Sequence, residues 1–226
     1  MNLGEAAAPV RRALVLANGV PPPASLLHAL VGEAEAVVCA DGGANVALAL
    51  GVTPSAIVGD LDSILPATRD RFAAVPIYED HDEFCTDLEK AVVWALAQGF
   101  GHITIAGAAG HRFDHAVGSL GVLAKFHGRA TLRLVDECGE LQHVGRMLRL
   151  DAPVGTVVSL LPLTRCEGIE TEGLRYPLRG EVLELGGRDA TSNVVVTSPA
   201  TIRVARGHLL LYRLRSDAEG RETERG

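Results

Sequence analysis

Between Arg11 and Asp136, short apolar runs alternate with stretches of helical periodicity, the runs being ALVLAN, AVVCAD, AIVGD, VPIYED, HITIAGA and TLRLVD. This alternation restricts the fold more than any other feature of the chain. Strands separated by helices cannot pair through tight hairpins. Each must cross over to lie parallel to another, which predicts a doubly wound, mostly parallel sheet with helices on both faces. The plainest helix starts at Thr86: Thr86 and Glu89 have capping-box spacing, Leu88, Ala91, Val92, Ala95 and Leu96 share a face, and Gly99 should stop it. Ligands of such sheets collect beyond the carboxyl ends of the strands, so the polar residues just after each run are the first candidates for chemistry.

After Glu137 the helical periodicity is lost. LQHV, RMLRL, VVSLLPL, LRYPL, EVLEL, NVVVTS, TIRVA and HLLLYRL are short, near-alternating runs broken by Gly, Pro and Asp, which predicts an antiparallel β-sandwich. The expected division is an α/β domain over residues 1–137 and a β domain over 138–226, with MNLGEAAAP and SDAEGRETERG as loose, solvated tails.

Composition narrows the function. A net charge of -7 provides no broad basic field for a nucleic-acid backbone, although metal ions and backbone N–H groups still let an acidic protein hold a polyphosphate. Cys39, Cys85, Cys138 and Cys166 form no CxxC pair, so neither a zinc knuckle nor a disulfide framework is expected. No apolar run approaches the roughly 20 residues that cross a bilayer, and a cytoplasmic protein with reduced thiols is the expectation.

Four clusters follow four different runs. In Asp41-Gly42-Gly43-Ala44-Asn45 the paired glycines admit a phosphate to a helix start; a plain strand-to-helix turn capped by Asp41 is the alternative. In Gly59-Asp60-Leu61-Asp62 an extended backbone would send Asp60 and Asp62 to one side, as two hard oxygen ligands for magnesium; a solvated Asp turn is the alternative. Thr86-Asp87 opens the clearest helix, where the dipole keeps Asp87 ionised for a metal or merely stabilises the helix, and Lys90 could reach a phosphate or lie in solvent. The turn from Gly107 to His115 is small in side chains and carries Arg112, which could fork onto phosphate oxygens or pair with Asp114 at the surface. The Asp114-His115 pair also raises a hydrolase triad, but no GxSxG elbow supplies a nucleophile and Ser119 falls in a helical stretch.

In that order, ADGGAN, GDLDS, TDLEKA and GHRFDH resemble the signatures of the thiamine pyrophosphokinase family, and VVSLLPL, EGLRYPL, Thr191-Ser192-Asn193 and GHLLL resemble its β-rich domain. The resemblance spans about Ala13 to Tyr212. It implies a nucleotide-binding α/β domain, a thiamine-binding β-sandwich, and a homodimer whose active sites are completed across the interface. By position it makes Asp60, Asp62 and Asp87 magnesium ligands, sets Asp41, Gly42, Gly43, Asn45, Thr86, Lys90, Arg112 and Asp114 by the nucleotide, and sets Tyr176, Ser192 and Asn193 by thiamine. Two departures stand out. Glu83-Phe84-Cys85 replaces the family's usual Lys or Gln and Asp ahead of the TD pair, and His111 replaces a glycine.

The implied reaction is attack of the thiamine hydroxyl on the β-phosphorus of ATP with AMP leaving, promoted by positioning and charge neutralisation through Mg2+, Arg112 and one orienting carboxylate. Tyr176 would face the thiazolium, or else be a core residue of a strand. The rivals are a pyrophosphokinase for another hydroxymethyl heterocycle such as a pterin, a sensor without turnover, and a metal-dependent phosphohydrolase.

Overall fold

The computed structural model describes residues 10–110 and 112–215; both expected tails and His111 lie outside the described residues. The six runs of the first half become β1 (Arg12–Leu16), β2 (Ala36–Ala40), β3 (Ala56–Gly59), β4 (Ile77–Glu79), β5 (His102–Ala106) and β6 (Thr131–Val135). They lie side by side in the order β6-β5-β1-β2-β3-β4, every pair parallel. Leu14, Val15 and Leu16 are consecutive and all buried, which requires cover on both faces of the sheet. One face is covered by α4 (Asp87–Ala97) and α5 (Phe113–Lys125), whose Leu88, Val92 and Val122, with Phe126 at the end of α5, pack with Val15, Val38 and Val58. The other receives α1 (Ala24–Glu33) and α2 (Gly43–Ala49), whose Leu27, Leu30, Ala44 and Ala47 pack with Leu14, Leu16 and Val37. A short α3 (Pro66–Arg71) links β3 to β4.

The capping spacing at Thr86 is half realised. Thr86 Oγ1 accepts from the Glu89 N–H at 3.3 Å, but the Glu89 carboxylate is engaged by Lys125 and the Cys85 thiol instead of reaching back to the cap.

The change of pattern at Glu137 is a change of strand direction within one sheet. β7 (Gly139–His143) turns back antiparallel to β6, and β14 (Leu209–Leu214), β9 (Val157–Pro162) and β12 (Asn193–Val194) extend the same sheet to ten strands. The turn is held by Asp136, whose Oδ1 accepts from the backbone N–H groups of Cys138 and Gly139 and from the Tyr212 hydroxyl. A second sheet, β11 (Arg179–Leu183), β10 (Cys166–Glu172), β13 (Ala200–Arg203) and β8 (Met147–Leu150), packs on the antiparallel end. The expected sandwich is therefore built partly from the α/β sheet itself, and no break in pairing separates 137 from 138.

Two runs differ from expectation. LRYPL is a loop fastened by an isolated bridge between Leu174 and Val195, whereas CEGIETE, which shows no alternation, is strand β10. A bulge between Cys166 and Ile169, with Gly168 at φ +61°, shifts the spacing of the buried residues and hides the strand.

No helix among the described residues is long and apolar enough to cross a membrane.

Strand β14 joins the two cores, Leu210 facing the helices while Leu209 and Leu211 face the second sheet. Leu210→Ala and Leu211→Ala should each cost about 2–5 kcal/mol. Urea denaturation followed by tryptophan fluorescence and by far-UV circular dichroism should show one shared transition in both variants; two separate transitions would mean that the halves fold independently.

Candidate active site

Two strand ends and a helix start meet at a group of carboxylates. Asp41 follows β2, Asp60 follows β3, and Asp87 is the first residue of α4; a ligand oxygen from each lies within 4.8 Å of the others. Their approach depends on Gly59, whose φ is +152°. A β-carbon at that position would stand 2.8 Å from the Asp41 Cβ and 3.0 Å from Asp87 Oδ1, so a side chain at 59 would push the group apart. Gly59 was not anticipated as a site residue; its place between an apolar strand and Asp60 is the signal that could have found it.

Charge in the group is unbalanced. Two carboxylates 4.8 Å apart repel by roughly 3 kcal/mol at an effective dielectric of ~20. Asp41 is buried; its Oδ2 accepts from the Ser63 N–H at 3.2 Å, and its Oδ1 has no hydrogen-bond partner among the described residues. Burial raises the Asp41 pKa above the carboxylate range and the field of Asp87 adds to it, while hydrogen bonds from Ser63 and Gly42 work against the rise. Lys90 supplies one positive charge, its ammonium donating to Asp87 Oδ1 at 3.2 Å and to the Asp80 carbonyl at 2.8 Å. Burial alone would lower the Lys90 pKa, but the bond to Asp87 and the charges of Asp87, Asp80 and Asp60 outweigh it and keep the ammonium protonated. One cation against three carboxylates, with a buried acceptor left over, fits a hard divalent ion such as magnesium.

Asp62 is not a member of this group. Leu61 has φ +69°, so the chain turns left-handed and the two-residue alternation expected of GDLD fails. The Asp62 N–H caps Asp60 Oδ1 at 3.2 Å, and the exposed Asp62 carboxylate accepts from the Ser63 hydroxyl at 2.8 Å. Among the described residues it is Asp41 that brings a third carboxylate within 4.8 Å of Asp60 and Asp87.

Several expected nucleotide ligands are engaged within the protein. A β-carbon on Gly43 would run into the Leu16 carbonyl, so that glycine is required by packing of α2 against the end of β1, and one on Gly42 would displace the Asn18 amide. Asn45 spans the next loop: its Nδ2 donates to the Ser63 carbonyl at 2.9 Å and its Oδ1 accepts from the Leu65 N–H at 3.0 Å. Thr86 is the helix cap, and Lys90 is buried against Asp87 instead of lying open. Arg112 Nε donates to Asp114 Oδ1 at 3.1 Å in a pair exposed on both sides. Each partner shifts the other, the Arg112 bond holding Asp114 below and the Asp114 bond holding Arg112 above its ordinary value. The turns after β1 and β5 are stitched together by Gly19 N–H to the Gly107 carbonyl at 2.6 Å and Val20 N–H to the Ala109 carbonyl at 2.8 Å. Ser119 is a buried residue of α5 bonded to the Ala108 and His115 carbonyls, which leaves no serine nucleophile beside Asp114-His115.

Tyr176, Ser192 and Asn193 lie at the opposite end of the sheet. Asn193 Oδ1 accepts from the Tyr176 N–H at 3.0 Å and its Nδ2 donates to the Tyr176 carbonyl at 2.8 Å, so Asn193 clamps the loop that presents Tyr176. The Tyr176 side is 61% exposed, and Ser192 has φ +54° with its N–H on Ser159 Oγ at 3.0 Å. Between β12 and β3 seven strands intervene, about 35–40 Å along the sheet at ~4.8 Å per strand.

Comparison with known proteins gives the two halves separate matches. Residues 27–135 match the family model described as thiamin pyrophosphokinase, catalytic domain, and residues 147–209 match that of thiamin pyrophosphokinase, vitamin B1 binding domain. The chain is 30% identical over 222 residues to thiamine pyrophosphokinase 1 of Arabidopsis thaliana, covering 85% of this chain and 82% of that one. To thiamine pyrophosphokinase of Bacillus subtilis it is 29% identical over 181 residues, 76% and 84% of the two chains. The crystal structure of a thiamine pyrophosphokinase from Bacillus subtilis superposes with TM-score 0.79 at 25% identity, covering 91% of this chain and 100% of that chain. That of yeast thiamin pyrophosphokinase, at 19% identity, shares the fold with TM-score 0.77 over 92% of this chain and 88% of that chain.

Because the folded-state pKa of Asp41 is raised, in the ion-free protein Asp41 contributes stability that is fully present below its ordinary value of about 4 and is lost as pH rises through the raised value. Asp41→Asn should remove this slope and raise the ion-free melting temperature, by about 2–4 °C for each kcal/mol of repulsion relieved. The same variant should lose most of the stabilisation that magnesium gives the unsubstituted protein; thermal melts with magnesium or with chelator, from pH 4 to 8, test both. A variant melting lower than the parent without magnesium would contradict the charge imbalance.

Proposed function

The chain belongs to the thiamine pyrophosphokinase family and transfers the diphosphate of ATP to the hydroxyl of thiamine, and we propose that it does so where Asp41, Asp60 and Asp87 converge. The observation that carries this placement is the group itself, three carboxylates at two strand ends and a helix start with one buried oxygen unpartnered. The first half then holds the nucleotide and the second half thiamine, in keeping with the descriptions of the two family models. The assignment carries with it a cytoplasmic location, where ATP is made and thiols stay reduced.

Asp60 and Asp87 would hold the magnesium that accompanies ATP, with Asp41 behind them and Asp62 at the rim of the same loop. When bound, that ion neutralises phosphate charge and favours attack at phosphorus. Lys90 keeps Asp87 aimed into the group. Arg112 gives up little by leaving Asp114 for a phosphate, because an exposed ion pair is worth only about 0–1 kcal/mol. A carboxylate of the group orients the thiamine hydroxyl and accepts its proton. The hydroxyl oxygen bonds to the β-phosphorus, the bond from that phosphorus to the α–β bridging oxygen breaks, and AMP leaves.

Thiamine would meet the Tyr176 ring, an aromatic face for its cationic thiazolium, on a loop braced by Asn193 and beside Ser192. Within one chain that loop is far too distant from Asp60 to share a substrate. The distance supports a homodimer in which the carboxylates of one protomer work with the Tyr176 loop of its partner. Exposed apolar side chains point the same way: Phe84, 98% exposed, and Phe113, 85% exposed, flank the starts of α4 and α5 at the carboxylate end.

Incubation with ATP, magnesium and thiamine should give AMP and thiamine diphosphate in equal amounts; ADP with thiamine monophosphate would overturn attack at the β-phosphorus. Asp60→Asn and Asp87→Asn should each lower kcat by about 10²-fold or more, the several kcal/mol expected of a lost metal ligand, without changing the circular dichroism spectrum.

The shared site has its own test. An Asp87→Asn protein and a Tyr176→Ala/Ser192→Ala protein, each inactive, are mixed under conditions that exchange subunits. Half the dimers become mixed and each mixed dimer holds one intact site, so activity should return to about a quarter of the parent value. No recovery despite demonstrated exchange would place both parts of the site in one chain.

A further inference from the structure

Below the amino ends of β5 and β6, on the side of the sheet edge away from the carboxylates, lies a cleft of about 810 Å³. Its walls come from three parts of the chain. His102 opens β5, His127 and Arg129 stand in the turn that follows α5, and His143 and Arg146 come from β7 and the turn after it. The chain carries 28 acidic against 21 basic residues, yet no aspartate or glutamate lines this cleft.

The basic groups are not neutralised from elsewhere. Neither Arg129 nor Arg146 is in an ion pair among the described residues, and the Arg129 guanidinium lies over the Phe126 ring, 5.3 Å from its centroid. His143 is fixed in one tautomer. Its Nδ1 accepts from the Gly145 N–H at 2.9 Å, so its proton sits on Nε2 and is donated to His208 Nδ1 at 3.0 Å. The His127 ring stacks on it with centroids 3.9 Å apart and planes inclined by 24°. Burial first, and then the neighbouring His127 and His208, hold the His143 pKa down to about 4. Every titratable neighbour acting on this imidazole is basic, and nothing acidic offsets them.

We propose that this cleft is a second binding site, for a small phosphate-bearing anion, with Arg129 and Arg146 as its charged ligands and His127 and His102 as polar walls. A volume of this size lined by two arginines suits the forked recognition of a phosphate or diphosphate group, supplied free or as an ester. The site is distinct from the place of transfer, because it lies at the opposite ends of the parallel strands. It does not depend on the substrate assignment made above.

The test uses the full chain without magnesium, titrated at constant pH and ionic strength with inorganic phosphate, inorganic pyrophosphate and a phosphate monoester such as ribose 5-phosphate. The Cε1–H NMR signals of His102, His127 and His143, assigned by single His→Gln variants, report on this cleft and not on the carboxylate group. These signals should move saturably at millimolar or lower concentration with at least one of the three probes; which one moves them distinguishes a free anion from an ester. Arg129→Gln/Arg146→Gln, two exposed changes that leave the core intact, should weaken the interaction at least about tenfold, as expected for lost charge-assisted bonds. Signals that stay still with all three probes, or that move equally in the double variant with an unchanged melting temperature, would overturn the proposal.

Discussion

The repulsion among Asp41, Asp60 and Asp87 is the constraint around which the catalytic end is arranged. Like charges do not gather within 4.8 Å unless the backbone compels them, and here two strand ends and a helix start do so. Parallel strands place Asp41 and Asp60 side by side, the Thr86 cap fixes where α4 begins and hence where Asp87 stands, and Gly59 leaves the space that a side chain would occupy. Lys90 offsets part of the charge from beneath. What is left, a net negative cluster with an unpartnered buried oxygen, is poised for a cation, and the stability conceded in its absence is regained when a ligand arrives.

The same sheet that assembles this group separates it from the thiamine end. Because β7 continues the parallel sheet instead of starting a new one, the sandwich is rigidly offset along the strand order, and no hinge between 137 and 138 could fold Tyr176 back onto Asp60. The Asp136 side chain, bonded to two backbone N–H groups and to Tyr212, locks the turn where such a hinge would have to be. This continuity of the sheet is what the proposed homodimer rests on.

Much of the fold was legible because periodicity is a local property. The six parallel strands and the helix from Thr86 follow from spacing and caps that neighbours in sequence determine. What was not legible depended on backbone sign or on distant partners. Leu61 gives no hint that it will adopt φ +69°, and with it the expected pairing of Asp60 and Asp62 is lost. Gly168 does the same to β10 by inserting a bulge. The extension of the sheet beyond β7 was hidden too, since on its far side β7 pairs with β14, about seventy residues along the chain, and composition is blind to that distance.

The residues of the sequence signatures also divide by role in a way that motif order alone does not reveal. Asp41, Asp60 and Asp87 face the site, but Gly42, Gly43, Asn45, Thr86 and Lys90 direct their contacts into the protein, packing α2 on β1, tying the loop from Ser63 to Leu65, capping α4 and bracing Asp87. Asn193 likewise holds a backbone, that of Tyr176. Carboxylates that are to share one cation must be held within a fraction of an ångström, and a loop cannot supply that precision by itself. Each carboxylate of the group therefore has a polar or glycine neighbour that fixes its loop, and a change in the neighbour shifts the position of a carboxylate it never replaces.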